Sequence, residues 1–180
     1  GNGIRGVGVY VRYLSMALEK FEDRTHHFVT SEDIGLEQLN AYMDKKGIDI
    51  IHYPYFDLFQ QTLPFAFMKN LLGRAKQRSV VTIHDVIPLR FPEGYPVGIK
   101  GSVGLFLQKT NLQSVDAVIT DSNASKRDIV QFLGYPEHKI RVVPLAGNPE
   151  IKKSSDSEVK KVRSTYHLPE KYVLYVGDIN

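Results

Sequence analysis

Four short runs of apolar, largely β-branched residues recur along the chain, at Ile48 to Tyr53, Val80 to His84, Ala117 to Thr120 and Lys139 to Val143. Most are nearly continuous apolar stretches, the composition of strands covered on both faces. Segments of helical character separate them, and that alternation is the mark of βα units around a parallel sheet. The pattern predicts an α/β fold, a Rossmann-like three-layer αβα domain with a mainly parallel sheet. Val9 to Phe21 places Val11, Leu14, Ala17, Leu18 and Phe21 at helical spacing, and His27 to Thr30 is a further strand candidate. Leu36 to Lys46 reads as a helix stopped by Gly47, and Pro64 to Ala75 and Val103 to Gln113 as two more. Ala124 to Leu133 is another, ending at Gly134 with Pro136 just beyond.

A length of 180 residues suits one such domain and is short for two. The chain has no cysteine, which removes disulfides, cysteine nucleophiles and cysteine-ligated metals together. Lys and Arg number 23 against 20 Asp and Glu, a net charge of +3 that does not point to nucleic acid, while a pI near 9.0 suits anionic ligands. No apolar run reaches the roughly 18 residues of a membrane span, and the chain reads as cytoplasmic. At Pro149 the character changes. Glu150 to Arg163 is charged and Ser-rich, like a linker entering a short helix, and Tyr172 to Val176 then reads as a new buried strand followed by Gly177. The expectation is a domain over residues 1–149, a linker with a helix over 150–171, and the first strand of a second, truncated domain over 172–180.

Ligands in open parallel sheets bind beyond the carboxyl ends of the strands, so the residues after each apolar run are the candidates. They are His52, Tyr53 and Tyr55; His84 and Asp85; Asp121, Ser122 and Asn123; and Gly147 and Asn148. Ser122, Asn123 and Ser125 also have the composition of a helix cap, with Ser125 and Asp128 spaced as a capping-box pair. The glycine-rich stretch through Gly6, Val7 and Gly8 precedes a helical pattern and can bring backbone N–H groups to a phosphate, with a plain flexible terminus as the alternative. His84 at a strand end can bond a sugar hydroxyl or a phosphate oxygen, or act as a general base; a core histidine satisfied by a carbonyl is the competing reading. A metal site would gather His52, His84, Asp85 and Asp121, without any adjacent ligand spacing to support it. Leu58 to Arg78 mixes aromatic and aliphatic residues with Lys and Arg, as in a core helix with snorkelling cations or in a peripheral membrane contact.

Taken in order, RGVGVYVRYL, DIIHYPYF, VVTIHDVIPLRFPE, VDAVITDSNASKRDIVQFLGYPEHKIRVVPLAGNP and YVLYVGDIN resemble the N-terminal domain of the retaining glycosyltransferases of family 4, one half of the two-domain GT-B fold. The resemblance implies transfer of a hexose, with mannose favoured, from a GDP- or UDP-linked nucleotide sugar to a saccharide or lipid-linked acceptor. It implies retained configuration, no metal or other cofactor, and no nucleic acid partner. It implies work in the cytoplasm or at the inner face of the membrane. His84 falls on the family's donor-pocket histidine. Gly6 and Gly8, with Val7 between them, fall on the donor-phosphate loop, where Arg5 replaces a usual glycine. Arg12, Tyr53, Tyr55, Asp85 and Ser122 become sugar or acceptor contacts, as does Asn148, where Asp is common, and Gly177 becomes a residue of the interdomain cleft. The family's cations for the diphosphate belong to the second domain, so this chain alone is expected to be inactive. The remaining alternatives are a sugar-phosphate binding module and a metal-dependent hydrolase built on His52, His84 and Asp121.

Overall fold

The computed structural model describes residues 6–21, 38–63, 77–148 and 151–176. The strand expected at His27 to Thr30, the helix expected at Pro64 to Ala75, most of the basic segment Leu58 to Arg78 and Gly177 lie outside the described residues. Two compact units divide the chain, Gly1–Leu145 and Ala146–Asn180.

The first unit is an α/β domain on a four-stranded, all-parallel sheet with flanking helices, Rossmann-like as its sequence predicts. Its strands are β1 (Ile50–Tyr53), β2 (Arg78–Thr82), β3 (Ala117–Thr120) and β4 (Ile140–Val142), hydrogen-bonded in sequential order. Its helices are α1 (Gly6–Leu18), α2 (Leu39–Lys46), α3 (Ile87–Arg90), α4 (Ile99–Leu112) and α5 (Asn123–Asp128). β2 begins two residues before its apolar run. Asp116 explains the early start, because one of its carboxylate oxygens accepts from the backbone N–H and the hydroxyl of Ser79 at 2.8 and 3.0 Å and so anchors this polar end beside β3. α2 stops at Gly47, which takes the left-handed conformation (φ 64°) that an L side chain resists.

Side chains alternate across a strand, so the parallel register sorts the sheet into two faces. Tyr53 pairs with Val81, Val81 with Val118, and Val118 with Ile140, which stacks one apolar row across all four strands. The buried cluster there joins Val81, Ile83, Val118 and Ile140 to Leu112 of α4 and to Ile129 and Leu133. Each such aliphatic side chain contributes about 1.5–3 kcal/mol on burial. Tyr135, also buried, donates its hydroxyl to the Val115 carbonyl at 2.9 Å, and burial together with the Asp116 charge pushes its pKa up to about 12.

Three further elements differ from the sequence reading. The helix expected over Ala124 to Leu133 is α5 followed by a π-helical turn, Ile129–Leu133, which turns both Ile129 and Leu133 into the core before Gly134 ends it with φ 67°. α4 begins four residues earlier than expected, and its buried face is partly polar. Gln108, Asn111 and Leu112 are its buried residues, whereas Ile99, Val103 and Phe106, spaced along one helix face, are 89%, 54% and 69% exposed. The cause is local: the buried face lies against the loop after β1, whose Asp57 carbonyl and Thr62 hydroxyl both accept from Gln108 Nε2 at 2.7 Å. Finally, Tyr172 to Val176 has no strand pairing among the described residues and is exposed throughout, since an apolar run becomes a strand only beside a sheet edge that takes its hydrogen bonds.

The second unit holds α6 (Asp156–Thr165), started by a capping box in which Ser155 and Glu158 satisfy each other's backbone N–H groups. Glu158 accepts from the Ser155 hydroxyl at 2.7 Å and from its backbone N–H at 2.8 Å, and these bonds lower its pKa. No helix among the described residues is long and apolar enough to cross a membrane.

Gly104 carries the seating of α4. A Cβ at this position would collide with the Phe59 backbone, which cannot swing aside as a side-chain end can. Gly104→Ala should therefore cost about 1–3 kcal/mol, the range for forced overpacking. Gly94→Ala, where the added methyl meets only an ordinary 3.7 Å contact, should be nearly neutral. Chemical denaturation of the two variants checks this difference.

Candidate functional site

The face of the sheet opposite the apolar row carries polar groups, and the register brings them together. His52 pairs with Val80, so Thr82, two residues further along β2, lies on the same face as His52; Thr82 pairs with Ile119, two residues before Asp121. His84 continues the Thr82 row just past the strand, where the Ile83 N–H still bonds the Ile119 carbonyl at 2.9 Å. His84 and Asp121 are thereby delivered side by side from adjacent strand ends. Nδ1 of His84 lies 2.8 Å from Asp121 Oδ2, and both side chains are about one-fifth exposed. Nε2 of His84 is enclosed and has no hydrogen-bond partner among the described residues. Leaving such an atom unsatisfied costs about 1–3 kcal/mol.

α1 covers this face through Tyr10. The Tyr10 ring stands edge-on to His84, with centroids 4.8 Å apart and planes at 87°. Its hydroxyl lies 3.2 Å from Thr82 Oγ1, which is also 2.8 Å from His52 Nε2. Thr82 is fully buried, so the one hydroxyl joins β1, β2 and α1. Burial lowers the His52 pKa below its ordinary 6.5. Neither Tyr10 nor Thr82 is conspicuous in the sequence, since a tyrosine in an amphipathic helix and a threonine in a strand both read as structural residues. The available signal was position: Tyr10 shares a helical stripe with Val7 and Leu14, and Thr82 lies two residues before His84.

The other predicted residues fall in separate places. Gly6, Val7 and Gly8 form the first turn of α1, whose N–H groups have no partner within the helix. Arg12 is exposed on α1, with its guanidinium 6.0 Å from the Tyr13 ring centroid. Tyr53 is not beside His84: its ring packs against the core cluster, and burial pushes its pKa up to about 12. Tyr55 is exposed and donates to Asp57 at 3.1 Å; desolvation first, then the Asp57 and Asp85 charges, raise its pKa, which puts it in the field of Asp85. Asp85 accepts the Ile87 N–H at 2.9 Å and so braces the turn into α3. Ser122 is the N-cap of α5, accepting from the Ser125 N–H at 3.0 Å, so the cap lies three residues before the expected Ser125 and Asp128 pair. Asp128 is held instead by Arg90 at 2.7 Å. Asn148 belongs to the second unit, where its carbonyl accepts from the Ile151 N–H at 3.1 Å.

The four residues of the metal alternative do not assemble. His52 is engaged with Thr82 and Asp85 with its own turn, and only His84 and Asp121 meet. No group of three or more His, Asp or Glu side chains among the described residues is placed to hold a metal ion. What the arrangement offers is a histidine fixed by a carboxylate, with its second nitrogen reserved, beside an aromatic ring and a buried hydroxyl.

The family model described as Glycosyltransferase Family 4 matches residues 34–150. Over 105 residues, 56% of this chain, the sequence is 30% identical to the O-antigen chain mannosyltransferase B of Escherichia coli. The matched part is 26% of that protein, so the chain spans about a quarter of the curated relative it matches.

Burial of His52 has a consequence for pH. A histidine whose pKa is lower folded than unfolded binds more protons in the unfolded chain, so its contribution to stability is complete above the unfolded value of about 6.5 and is lost as pH falls through and below it. Stability should decline on acidification below that value, and His52→Gln should flatten the decline. Urea midpoints measured across this window for both proteins check it, and parallel profiles would assign the acid loss elsewhere.

Proposed function

The chain belongs to glycosyltransferase family 4, and on that premise we propose that the protein transfers a hexose, with mannose the first choice, from a GDP- or UDP-linked donor to a saccharide or lipid-linked acceptor with retained configuration. The observation that carries this reading is the strand-end His84, held by Asp121 and keeping an enclosed nitrogen without a partner among the described residues, in a chain matched to the family over residues 34–150. The name of the Escherichia coli relative supports mannose as the sugar.

In this reading His84 is the catalytic residue that touches the sugar. Departure of the nucleoside diphosphate places negative charge on its oxygens and positive charge on the sugar ring, so stabilisation is chiefly electrostatic. The first turn of α1, with Gly6, Val7 and Gly8, offers N–H groups at the positive end of a helix to that diphosphate. Arg12, Tyr55 and Asp85 serve the acceptor side, and Tyr53 shapes it from the core. Ser122 holds α5 in place beside Asp121, Asn148 is a sugar or acceptor contact, and Gly177 is a residue of the interdomain cleft. Residues 1–149 form the acceptor-side domain of a GT-B enzyme, 150–171 the linker with its helix, and 172–180 the start of the donor domain, so this chain alone gives no turnover. The enzyme works in the cytoplasm, with a peripheral contact to the inner face of the membrane.

A panel of nucleotide sugars offered to the full-length protein with saccharide and lipid-linked acceptors tests the reading. Product with retained configuration is expected, and donor binding without transfer would favour a sugar-phosphate binding module. In the active protein His84→Ala should lower turnover about ten- to a thousandfold, the range for one preorganised contact or proton relay, with little change in melting temperature. A large fall in melting temperature with near-normal activity would make His84 a structural residue.

The reaction needs no divalent metal. Asp85 and Asp121 lie in separate loops, each already engaged, whereas a site for Mg²⁺ generally offers one or two carboxylates to the ion. Full-length enzyme should keep its activity in excess chelator. Loss of activity restored by Mg²⁺ or Mn²⁺ would overturn this part of the account.

A further inference from the structure

We propose that Asp121 is a positioning residue that holds neutral His84 in the Nδ1-protonated tautomer, so that Nε2 meets the substrate as a hydrogen-bond acceptor and selects a hydroxyl over a phosphate oxygen. The inference rests on the glycosyl-transfer reading only for whose hydroxyl is bound.

The chemistry of the pair sets the tautomer. An ionised carboxylate can only accept, so a bond between Asp121 Oδ2 and His84 Nδ1 at 2.8 Å requires the proton to sit on Nδ1. In a neutral imidazole one nitrogen donates and the other accepts, and Nε2 is then left with a bare lone pair. Free histidine in water favours the opposite tautomer, so this arrangement exists because Asp121 imposes it. Both residues follow from the fold, since β2 and β3 are hydrogen-bonded neighbours and each strand delivers one of them just past its end.

The surroundings keep Nε2 for a ligand. It is closed to solvent and no protein group described bonds it. Tyr10 offers His84 a ring edge, and its hydroxyl is engaged with Thr82. The Thr82 hydroxyl is shared with His52. The nearby polar groups are thus committed to one another. An acceptor in this position matches a ligand O–H; a phosphate oxygen, which brings no proton, would face lone pair against lone pair. Sequence position alone left those two ligands open, and Asp121 decides between them.

The test is spectroscopic and does not depend on turnover. The protein is labelled with ¹⁵N-histidine, and proton–nitrogen correlations through the imidazole ring are recorded above the ordinary histidine pKa of about 6.5. The His84 signals are identified by their loss in His84→Gln. The expected result is Nδ1 in the protonated and Nε2 in the unprotonated range, with Asp121→Ala shifting the ring toward the Nε2–H form while the backbone amide spectrum stays folded. A wild-type ring with Nε2 protonated, or with both nitrogens protonated throughout, overturns the proposal, and so does a tautomer unchanged in Asp121→Ala. If Asp121→Ala fails to fold, the wild-type spectrum still decides. Absence of glycosyl transfer would sink the reading of the preceding subsection alone, because the tautomer is read without substrate.

Discussion

The in-register parallel pairing of β2 with its neighbours is the constraint on which the domain depends. A strand presents alternate residues to opposite faces, so once Val81 stands opposite Tyr53 and Val118, the positions of Thr82, His84, His52 and Asp121 are no longer free. A slip of one residue would move the apolar row out of the core and push Thr82 and His84 into it. The hydrophobic term therefore enforces the register, and the register assembles the polar site. Core and site are two faces of one choice.

That choice asks the sheet to carry polar side chains where most parallel sheets carry aliphatic ones. The cost is limited by pairing them: Thr82 answers His52 and Tyr10, and Asp121 answers His84. Among the described residues two buried polar atoms of the sheet and its strand ends keep no partner, Nε2 of His84 on this face and Thr120 Oγ1 on the core face. A buried polar atom without a partner calls for an explanation, and at a strand end, where parallel sheets bind ligands, a ligand supplies one. Tyr10 makes α1 part of the same network, so the helix that brings Gly6 and Gly8 is tied to the strand that brings His84.

Much of this was legible in the sequence, for reasons that differ by element. β3 was readable because Ala117 to Thr120 is a short apolar run closed by Asp121 and Ser122, and the end of α2 because Gly47 can take positive φ. His84 stood out as a histidine closing an apolar run. The facing of α4 was not legible, since it depends on Gly104, whose missing side chain is the clearance that lets the Phe59 backbone approach. The π turn at Ile129–Leu133 has no periodic signature, because both Ile129 and Leu133 fit an ordinary helix as well. Tyr53 stood out as an aromatic residue at the end of an apolar run, and strand parity places it on the core side of the sheet. Tyr10 was passed over because its two partners lie far away in the chain, at Thr82 and His84, and only the tertiary fold brings them to it.

The central claim is that one sheet face, through His84 and the groups that hold it, receives the sugar. A crystal structure of the full-length protein with a nucleotide sugar measures this most directly. The account predicts a sugar hydroxyl oxygen about 2.7–3.2 Å from His84 Nε2, with Asp121 still on Nδ1 and Tyr10 beside the ring. A donor bound elsewhere, with His84 Nε2 still enclosed and without a partner, would contradict it.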